Sequence, residues 1–327
     1  MDKPPQAKSW KDSQTAVNQI IYPRYTNELK LARAGPVLKL VDVAASFSAH
    51  KHAGRGTVTA CLDYMNFVDS ARVWDIVTAH CRLTQTWHTS MEIEVTVDTQ
   101  NVRSMDKRML AKGYLVFVAM DDDMRPTTVP PLALETAEDK LLATDAEVRK
   151  QSRKQEELLA SQRDATRILP TCAPAIISRV MTDNDSNIHQ KVFGGAILEL
   201  IHEAGVAAAQ AHVNGPVITV RQDRMSFKAS AAIGDTVTAL ANLTRTWTTS
   251  MEVQVDVVAT SPGSPEERVI ASSFLVLVAQ DEQARPRKIP PFVPVTERQQ
   301  QRYKDADVRR QTRLLERAIS KNRESVV

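Results

Sequence analysis

The sequence has little net charge and no long apolar run, and each absence excludes a class of protein. No stretch of the 327 residues approaches the roughly 20 consecutive apolar residues that cross a bilayer, so we expect no membrane span. The formal net charge of +3 is too small to indicate nucleic-acid binding. The N-terminal segment MDKPPQAKSWKDSQT contains no apolar core of a secretion signal. We therefore expect a cytoplasmic protein, and the lysines of this segment leave a mitochondrial leader as the alternative.

Cysteine is also scarce. The three cysteines, Cys61, Cys81 and Cys172, are odd in number, which favours free thiols in a reducing compartment over a disulfide framework. None of them stands in a CxxC or Cys/His spacing, so we expect no metal site.

What the sequence does contain is an internal repeat. The segment from Thr86 to Val95, TWHTSMEIEV, returns 160 residues later as TWTTSMEVQV, and LVFVA at Leu115 returns at the same offset as LVLVA. A period this long indicates a duplicated domain rather than a solenoid. The length of the chain suits two domains of ordinary size.

Both copies follow one order of elements: a polar lead-in, an apolar helix, several β-type segments and a charged helical tail. The predicted helices are 36–50 and 196–212, and the predicted β segments of the first copy are 57–65, 74–87, 90–99 and 112–119. The pattern indicates an α+β fold in which each helix is wrapped by an antiparallel sheet, with the two copies paired as a pseudo-dimer. The predicted boundaries are 14–143 for the first domain, 144–173 for its tail and linker, 174–302 for the second domain and 303–327 for the last tail. We interpret the tails as solvated amphipathic helices, with a partner-binding coiled coil as the alternative.

Asp42 is a candidate catalytic acid or base. It is the only acidic residue in the apolar run that forms the first helix, and a buried carboxylate is costly unless it is paired. Chains keep such a group mostly where it performs a function, so Asp42 is a candidate general base. A carboxylate that caps a loop from a partly exposed helix face explains the pattern equally well.

The second copy has a different candidate feature, a polar loop that contains Asn187 and leads through Gly194 and Gly195 into the apolar helix. Glycines admit a ligand close to the backbone, and a helix N-terminus offers unpaired N–H groups to a carbonyl or phosphate. Taken alone, a double glycine before a helix is more often a simple turn.

The repeat relates these two features. The position equivalent to Asp42 is His202, so the second helix has no acid there, and the first copy has Ala34 and Gly35 where the second has the double glycine. If sites form between the copies, one contains Asp42, Asn187, Gly194 and Gly195. The other contains His202, Asn27 and Gly35, and we expect it to be weak or inactive.

These motifs resemble those of acyl-CoA thioesterases with the hotdog fold. The duplicated arrangement is similar to the double-hotdog acyl-CoA hydrolases, in particular the cytosolic acetyl-CoA hydrolase and brain acyl-CoA hydrolase types, through Leu38-Lys-Leu-Val-Asp42 and His52-Ala-Gly54. The resemblance implies hydrolysis of an acyl-CoA to a free acid and coenzyme A, without a cofactor. It also implies a homo-oligomer, a trimer of double-hotdog chains, and we expect no lipid-binding START domain of the kind that some relatives carry.

The resemblance implies a role for each site residue. Asp42 activates water or attacks the thioester directly, Asn187 orients the water or the carbonyl, and the N–H of Gly195, aided by Gly194, polarises the carbonyl. Thr59 assists or, as we favour, only packs. The coenzyme A contacts implied by the family are Ala60, Cys61, Leu62, Thr89, Ser90, Met91, Lys150, Val220, Arg221 and Gln222.

Two other functions stay open. A hotdog enoyl-CoA hydratase needs an Asp/His pair, for which His189 and His202 are the available histidines. A catalytically inactive hotdog would bind acyl-CoA as a sensor or scaffold. We interpret the repeated Trp87 and Trp247 as packing residues.

Overall fold

The computed structural model describes residues 6–163, 174–187, 190–264 and 266–324. In these ranges the first copy comprises β1 (Thr15–Ile20), α1 (Ala34–Ala53), β2 (Thr57–Phe67), β3 (Ile76–Thr86), β4 (Ser90–Gln100), β5 (Lys107–Ala119) and α2 (Ala137–Arg163). The second copy comprises β6 (Ala175–Val180), α3 (Gly194–Val213), β7 (Val217–Gln222), β8 (Met225–Ser226), β9 (Thr236–Thr246), β10 (Ser250–Thr260), β11 (Arg268–Ala279) and α4 (Glu297–Glu324). None of the described helices is long and apolar enough to span a membrane.

The strands of both copies form one continuous antiparallel sheet. Its order is β1-β3-β4-β5-β2-β7-β11-β10-β9-β6, with β8 paired to β2. The two copies join where β2 meets β7, with Met65 opposite Gln222 and Asn66 opposite Arg221. The α+β pseudo-dimer expected from the repeat is therefore confirmed.

The alternation of apolar and polar side chains along the strands decides which face of the sheet packs against the helices. On β4 the apolar residues Met91, Ile93 and Val95 are completely buried, while the polar residues between them point to the outer face. The helix α1 contributes Leu38 and Val41, also completely buried, to the same core. Each helix is therefore enclosed by its own half of the sheet.

The two central helices cross near their N-termini, and glycine makes this crossing possible. A Cβ on Gly195 would lie 3.1 Å from Cα of Lys39, and one on Gly35 would lie 3.4 Å from Cα of Glu199. Contacts this short leave no room for a larger side chain on either helix. The crossing brings the start of each helix against the other copy.

Two strands were missing from the sequence interpretation. The segments 15–20 and 175–180 form the outermost strands β1 and β6, where the sequence analysis names no strand and describes the following lead-ins, 19–33 and 178–193, only as polar. Both strands are short and carry exposed apolar residues such as Ile20 and Val180, so the apolar-in, polar-out alternation that would identify them is weak.

The tail helices are attached to the outer face of the sheet. Glu92 on β4 is completely buried there and accepts hydrogen bonds from Arg149 and Arg153 of α2. In the second copy, Arg309 of α4 makes the equivalent bond to the buried Glu252, at 2.6 Å. The tails are therefore not simply solvated helices, because one face of each is tied to the sheet by buried ion pairs. The predicted linker residues 164–173 lie outside the described ranges.

Candidate active site

Asp42 lies on α1 with its side chain completely buried. The hydroxyl of Thr59, on β2, donates a hydrogen bond of 2.9 Å to Oδ1. Burial raises the pKa of the carboxyl from 3.8 to about 7, against the lowering effects of the Thr59 hydroxyl and of the Gly195 backbone N–H. A carboxyl with this pKa is divided between its acid and base forms near neutral pH, which suits a general base.

The second copy lies directly against this carboxyl. A Cβ on Gly194 would be 2.8 Å from Oδ2 of Asp42 and 3.1 Å from Oγ1 of Thr59. Gly194 therefore packs so closely against Asp42 that even a methyl group would not fit between them without a shift. Among the described residues Oδ2 has no hydrogen-bond partner. A buried carboxylate oxygen in this state can accept a proton from a bound molecule.

We define the first site as Asp42, Thr59, Gly194 and Gly195. From the sequence we expected Asp42 to face Asn187 and Gly195 of the second copy rather than Asn27 of its own copy. The structure brings Asp42 together with Gly194 and Gly195, and the approach of Asn187 to Asp42 stays a prediction. The catalytic roles assigned to these residues stay predictions.

Asn187 lies in the loop that leads into α3. Its Oδ1 accepts a hydrogen bond of 3.1 Å from the N–H of Lys191, and its own N–H donates to the carbonyl of Lys191 at 2.8 Å. The equivalent Asn27 holds its loop in the same way, through the N–H groups of Leu29 and Leu31. Both asparagines therefore shape the approach to a helix N-terminus, and this role needs no substrate.

The second site is the equivalent place in the other half, which we define as His202, Thr219, Ala34 and Gly35. His202 is buried, with Nε2 2.9 Å from Oε1 of Gln222 and Nδ1 3.4 Å from Oγ1 of Thr219. Burial lowers the pKa of the imidazole to about 4, opposed by the bond to Gln222. The ring is neutral and engaged at both nitrogens, so this site lacks an acid–base group for neutral pH.

Thr59 is the site residue that sequence reasoning undervalued. Packing was the favoured interpretation, but the hydroxyl is bonded to Asp42. A signal was available, because Thr219 occupies the equivalent position and stands 17 residues after His202, as Thr59 does after Asp42. A threonine kept beside the key helix position in both halves of the repeat indicates more than strand propensity.

Part of the predicted coenzyme A contact set lies together at one end of the sheet. Thr89 lies in the turn between β3 and β4, and Ser90 is the first residue of β4, whose backbone carbonyl accepts a hydrogen bond from the N–H of Trp87. The ammonium of Lys150 lies 4.5 Å from the centre of the Trp87 ring. Trp87 thus packs between this turn and α2, whereas the neighbouring Met91 side chain belongs to the core.

The other predicted contacts lie near the junction of β2 and β7. Leu62 and Gln222 are completely buried, and burial raises the pKa of the Cys61 thiol to about 12. The guanidinium of Arg221 bonds to Asp223, Asn66 and Glu316, so its charge is already paired within the protein. The remaining members of the group are Ala60 and Val220, which are half-buried strand residues.

Two residues named from the sequence fall outside the described ranges, Cys172 and His189. His202 belongs to the second site and no hydrogen bond joins it to Asp42. Among the described residues, therefore, the Asp/His pair that a hydratase requires is not assembled at Asp42.

Two hotdog domains in one chain, with an acid from one half facing a helix N-terminus of the other, define a double-hotdog protein. Residues 34–105 and 189–266 match the family model described as the thioesterase superfamily. An uncharacterized acyl-CoA thioester hydrolase of Bacillus subtilis (strain 168) is 30% identical over 150 residues, which cover 46% of this chain and 87% of that protein. The chain belongs to the thioesterase superfamily.

Similarity over the whole chain is lower. The acetyl-coenzyme A thioesterase of Mus musculus is 26% identical over 328 residues, covering 95% of this chain and 59% of that protein. The chain thus spans little more than half the length of this relative. The structure of an acyl-ACP thioesterase from Bacteroides thetaiotaomicron VPI-5482 matches 83% of this chain and 100% of that one with a TM-score of 0.51. At 11% identity that match shows the fold alone.

Proposed function

We propose that the protein hydrolyses acyl-CoA thioesters to a free acid and coenzyme A at the first site. The observation that carries the proposal is Asp42: a buried carboxyl with a pKa near 7, bonded to Thr59 through one oxygen and without a hydrogen-bond partner among the described residues on the other, which packs against Gly194. The names of the relatives, an acetyl-CoA thioesterase and an acyl-CoA thioester hydrolase, support the substrate class.

In the general-base route, Asp42 takes a proton from a water molecule while the water oxygen attacks the carbonyl carbon of the thioester. The carbonyl oxygen gains negative charge, which N–H groups at the start of α3 stabilise. The C–S bond then breaks, and the proton on Asp42 passes to the leaving sulfur. In the alternative route the carboxylate itself attacks the carbonyl carbon, and the C–S bond breaks to release the coenzyme A thiolate and leave an anhydride. Water then cleaves the anhydride to give the free acid and the Asp42 carboxylate, and the proton released from water is taken up by the thiolate. Neither route requires a cofactor.

The backbone N–H of Gly195, at the start of α3, lowers the pKa of Asp42 and so acts in both routes. The N–H of Gly195 holds down the pKa of Asp42 before substrate binds. A substrate carbonyl that takes over this N–H removes a stabilising contact from the carboxylate, so Asp42 becomes more basic when its substrate is in place. The same N–H thus serves the free enzyme and the reacting complex in turn.

The wider site is proposed on the family resemblance. Thr89, Ser90 and Lys150 would meet the nucleotide part of coenzyme A, and a cation near its phosphates suits Lys150. Asn187 would present its amide N–H groups to the carbonyl or water. We also propose a homo-oligomer, a trimer of double-hotdog chains, and a cytoplasmic location with a mitochondrial one as the alternative.

The test is thiol release from a panel of acyl-CoAs of increasing chain length, by the wild-type protein and by Asp42→Asn. We expect release by the wild type and its loss in the variant. Loss of crotonyl-CoA absorbance without thiol release would instead indicate a hydratase. Acyl-CoA binding without turnover by the wild-type protein would indicate a sensor or scaffold, and either result would refute the proposal.

A further inference from the structure

The crossing of α1 and α3 carries an ion pair between two residues at equivalent positions of the repeat. Nζ of Lys39 lies 3.3 Å from Oε2 of Glu199, and the two residues are 160 apart in sequence. Equivalent positions of a two-fold pair meet each other at the pseudo-symmetry axis. If two identical copies were paired in this way, Lys39 would face a second lysine, or Glu199 a second glutamate.

A second contact between the halves lies on the outer face of the sheet and is likewise present in one direction only. The completely buried side chain of Asp63 is bonded to Arg153 of its own half and, at 2.9 Å, to Arg224 of the other half. The equivalent Asp223 takes both of its arginines, Arg313 and Arg221, from its own half. The position equivalent to Arg224 is Tyr64, which has no charge to return across the junction.

We propose that these two contacts make the pairing of the halves selective: the first copy fits the second copy, and neither fits itself. In a pair of first copies, Lys39 would face Lys39 and the buried Asp63 would face Tyr64 in place of an arginine. In a pair of second copies, Glu199 would face Glu199. The selectivity therefore disfavours assemblies in which two first copies or two second copies from different chains pair with each other.

Selective pairing also preserves the first site. Asp42 meets Gly194 and Gly195 only when a first copy is paired with a second copy. In a pair of first copies it would meet Ala34 and Gly35, and the Cβ of Ala34 would occupy the space beside its Oδ2. The inference concerns assembly and does not depend on the proposed reaction.

A charge-swap cycle in the full-length chain tests the helix contact. Lys39→Glu and Glu199→Lys place like charges at the axis, and the double variant restores the pair with its polarity reversed. We expect each single variant to lower the Tm by roughly 2–4 °C, the size expected for about a fivefold change in the folding equilibrium, and to add species of higher mass in light scattering. The double variant should return both measurements toward the wild type. The matched controls are Glu282→Lys and Lys288→Glu, which reverse exposed charges in the segment after β11. They should leave the Tm and the light scattering unchanged.

Arg224→Tyr tests the outer contact by giving the second copy the first copy's residue. It leaves the buried Asp63 with one arginine, so we expect a larger fall in Tm and a larger fraction of exchanged, higher-mass species than in either helix variant. Two results would overturn the inference. The first is a double variant whose Tm and mass distribution are no closer to the wild type than those of the more affected single variant. The second is an Arg224→Tyr protein that has the Tm and the mass of the wild type. Because neither readout uses acyl-CoA, a protein without thioesterase activity would leave this test unaffected.

Discussion

The first and second sites occupy equivalent backbone positions of the two copies. They differ in the direction in which burial shifts the pKa of the central side chain. Burial favours the neutral form of any ionisable group. For Asp42 the neutral form is protonated, so its pKa rises to about 7 and the group exchanges protons near neutral pH. For His202 the neutral form is unprotonated, so its pKa falls to about 4 and the ring stays neutral. One physical effect thus produces a proton-transfer group in one half and an inert group in the other.

The two sites also differ in hydrogen bonding. Both nitrogens of His202 have partners, Gln222 and Thr219, so the second site is complete without a ligand. Oδ2 of Asp42 has none among the described residues, and it packs against a glycine that has no side chain to offer it a hydrogen bond. An unsatisfied buried oxygen reduces stability, and its presence in one site alone indicates where a substrate is needed.

The largest expected difference between the sites comes from removing the acid. Asp42→Asn should lower kcat for thiol release by roughly 10²–10⁴-fold, the usual contribution of a general base. The matched change in the second site, His202→Asn, should alter kcat less than about twofold, because a neutral, fully bonded ring contributes no proton transfer. Steady-state kinetics on a good acyl-CoA substrate checks this. Comparable losses in both variants would show that the second site is also active.

The next effect comes from adding a side chain at Gly194, next to the carboxyl of Asp42. Gly194→Ala places a methyl group 2.8 Å from Oδ2 of Asp42, so the carboxyl or the helix must move. We expect kcat to fall roughly 100-fold, as displacement of a reacting group by about 1 Å commonly causes. Ala34→Gly makes the reverse change in the second site and should leave the rate near that of the wild type. Full activity in Gly194→Ala would mean that substrate reaches Asp42 from another side.

A smaller effect concerns pH. The Thr59 hydroxyl stabilises the carboxylate, so Thr59→Val should raise the pKa of Asp42 further. The base form is active, so the wild-type rate should rise with pH through about 7, and the variant should show the same rise at higher pH. A hydrogen bond worth ~1.4 kcal/mol corresponds to a shift of about one pKa unit, so at pH 7 the ionised fraction and the rate should fall roughly fivefold.

The control for this prediction is Thr219→Val in the second site, which should leave the pH–rate profile of kcat/KM unchanged. A Thr59→Val profile that falls in height without moving along the pH axis would show that Thr59 acts only by packing.

The last effect concerns stability rather than rate. The folded-state pKa of Asp42, about 7, exceeds the reference value of 3.8, so folding is favoured by the protonated form and the group destabilises the protein as pH rises. Asp42→Asn removes this cost. Its advantage over the wild type should be near zero at pH 4, grow up to about pH 7 and then level off, at most at ~4 kcal/mol for a shift of about three pKa units. Thermal unfolding of both proteins between pH 4 and pH 8 measures it. A constant difference in Tm across this range would contradict the raised pKa.

Much of the fold was predictable because the repeat doubled every signal. The apolar helices were placed within three residues of their observed ends, and strands with strong alternation such as β4 were located correctly. The edge strands β1 and β6 were missed because half-exposed short strands lack that alternation. The attachment of the tails was missed because a surface arginine and one that reaches a buried glutamate, such as Arg149, look alike in sequence.

The sequence by itself determined the duplication, the fold class and the asymmetry between Asp42 and His202, since each is visible by comparing the chain with itself at a fixed offset. The tertiary structure alone decided what surrounds those residues. Thr59 became a hydrogen-bond donor, Arg221 a paired charge, and Lys39 and Glu199 partners across the crossing of the helices. The pKa of a carboxyl and the partner of a charge depend on burial and distance between segments far apart in the chain, and these quantities come into existence only when the two halves pack together.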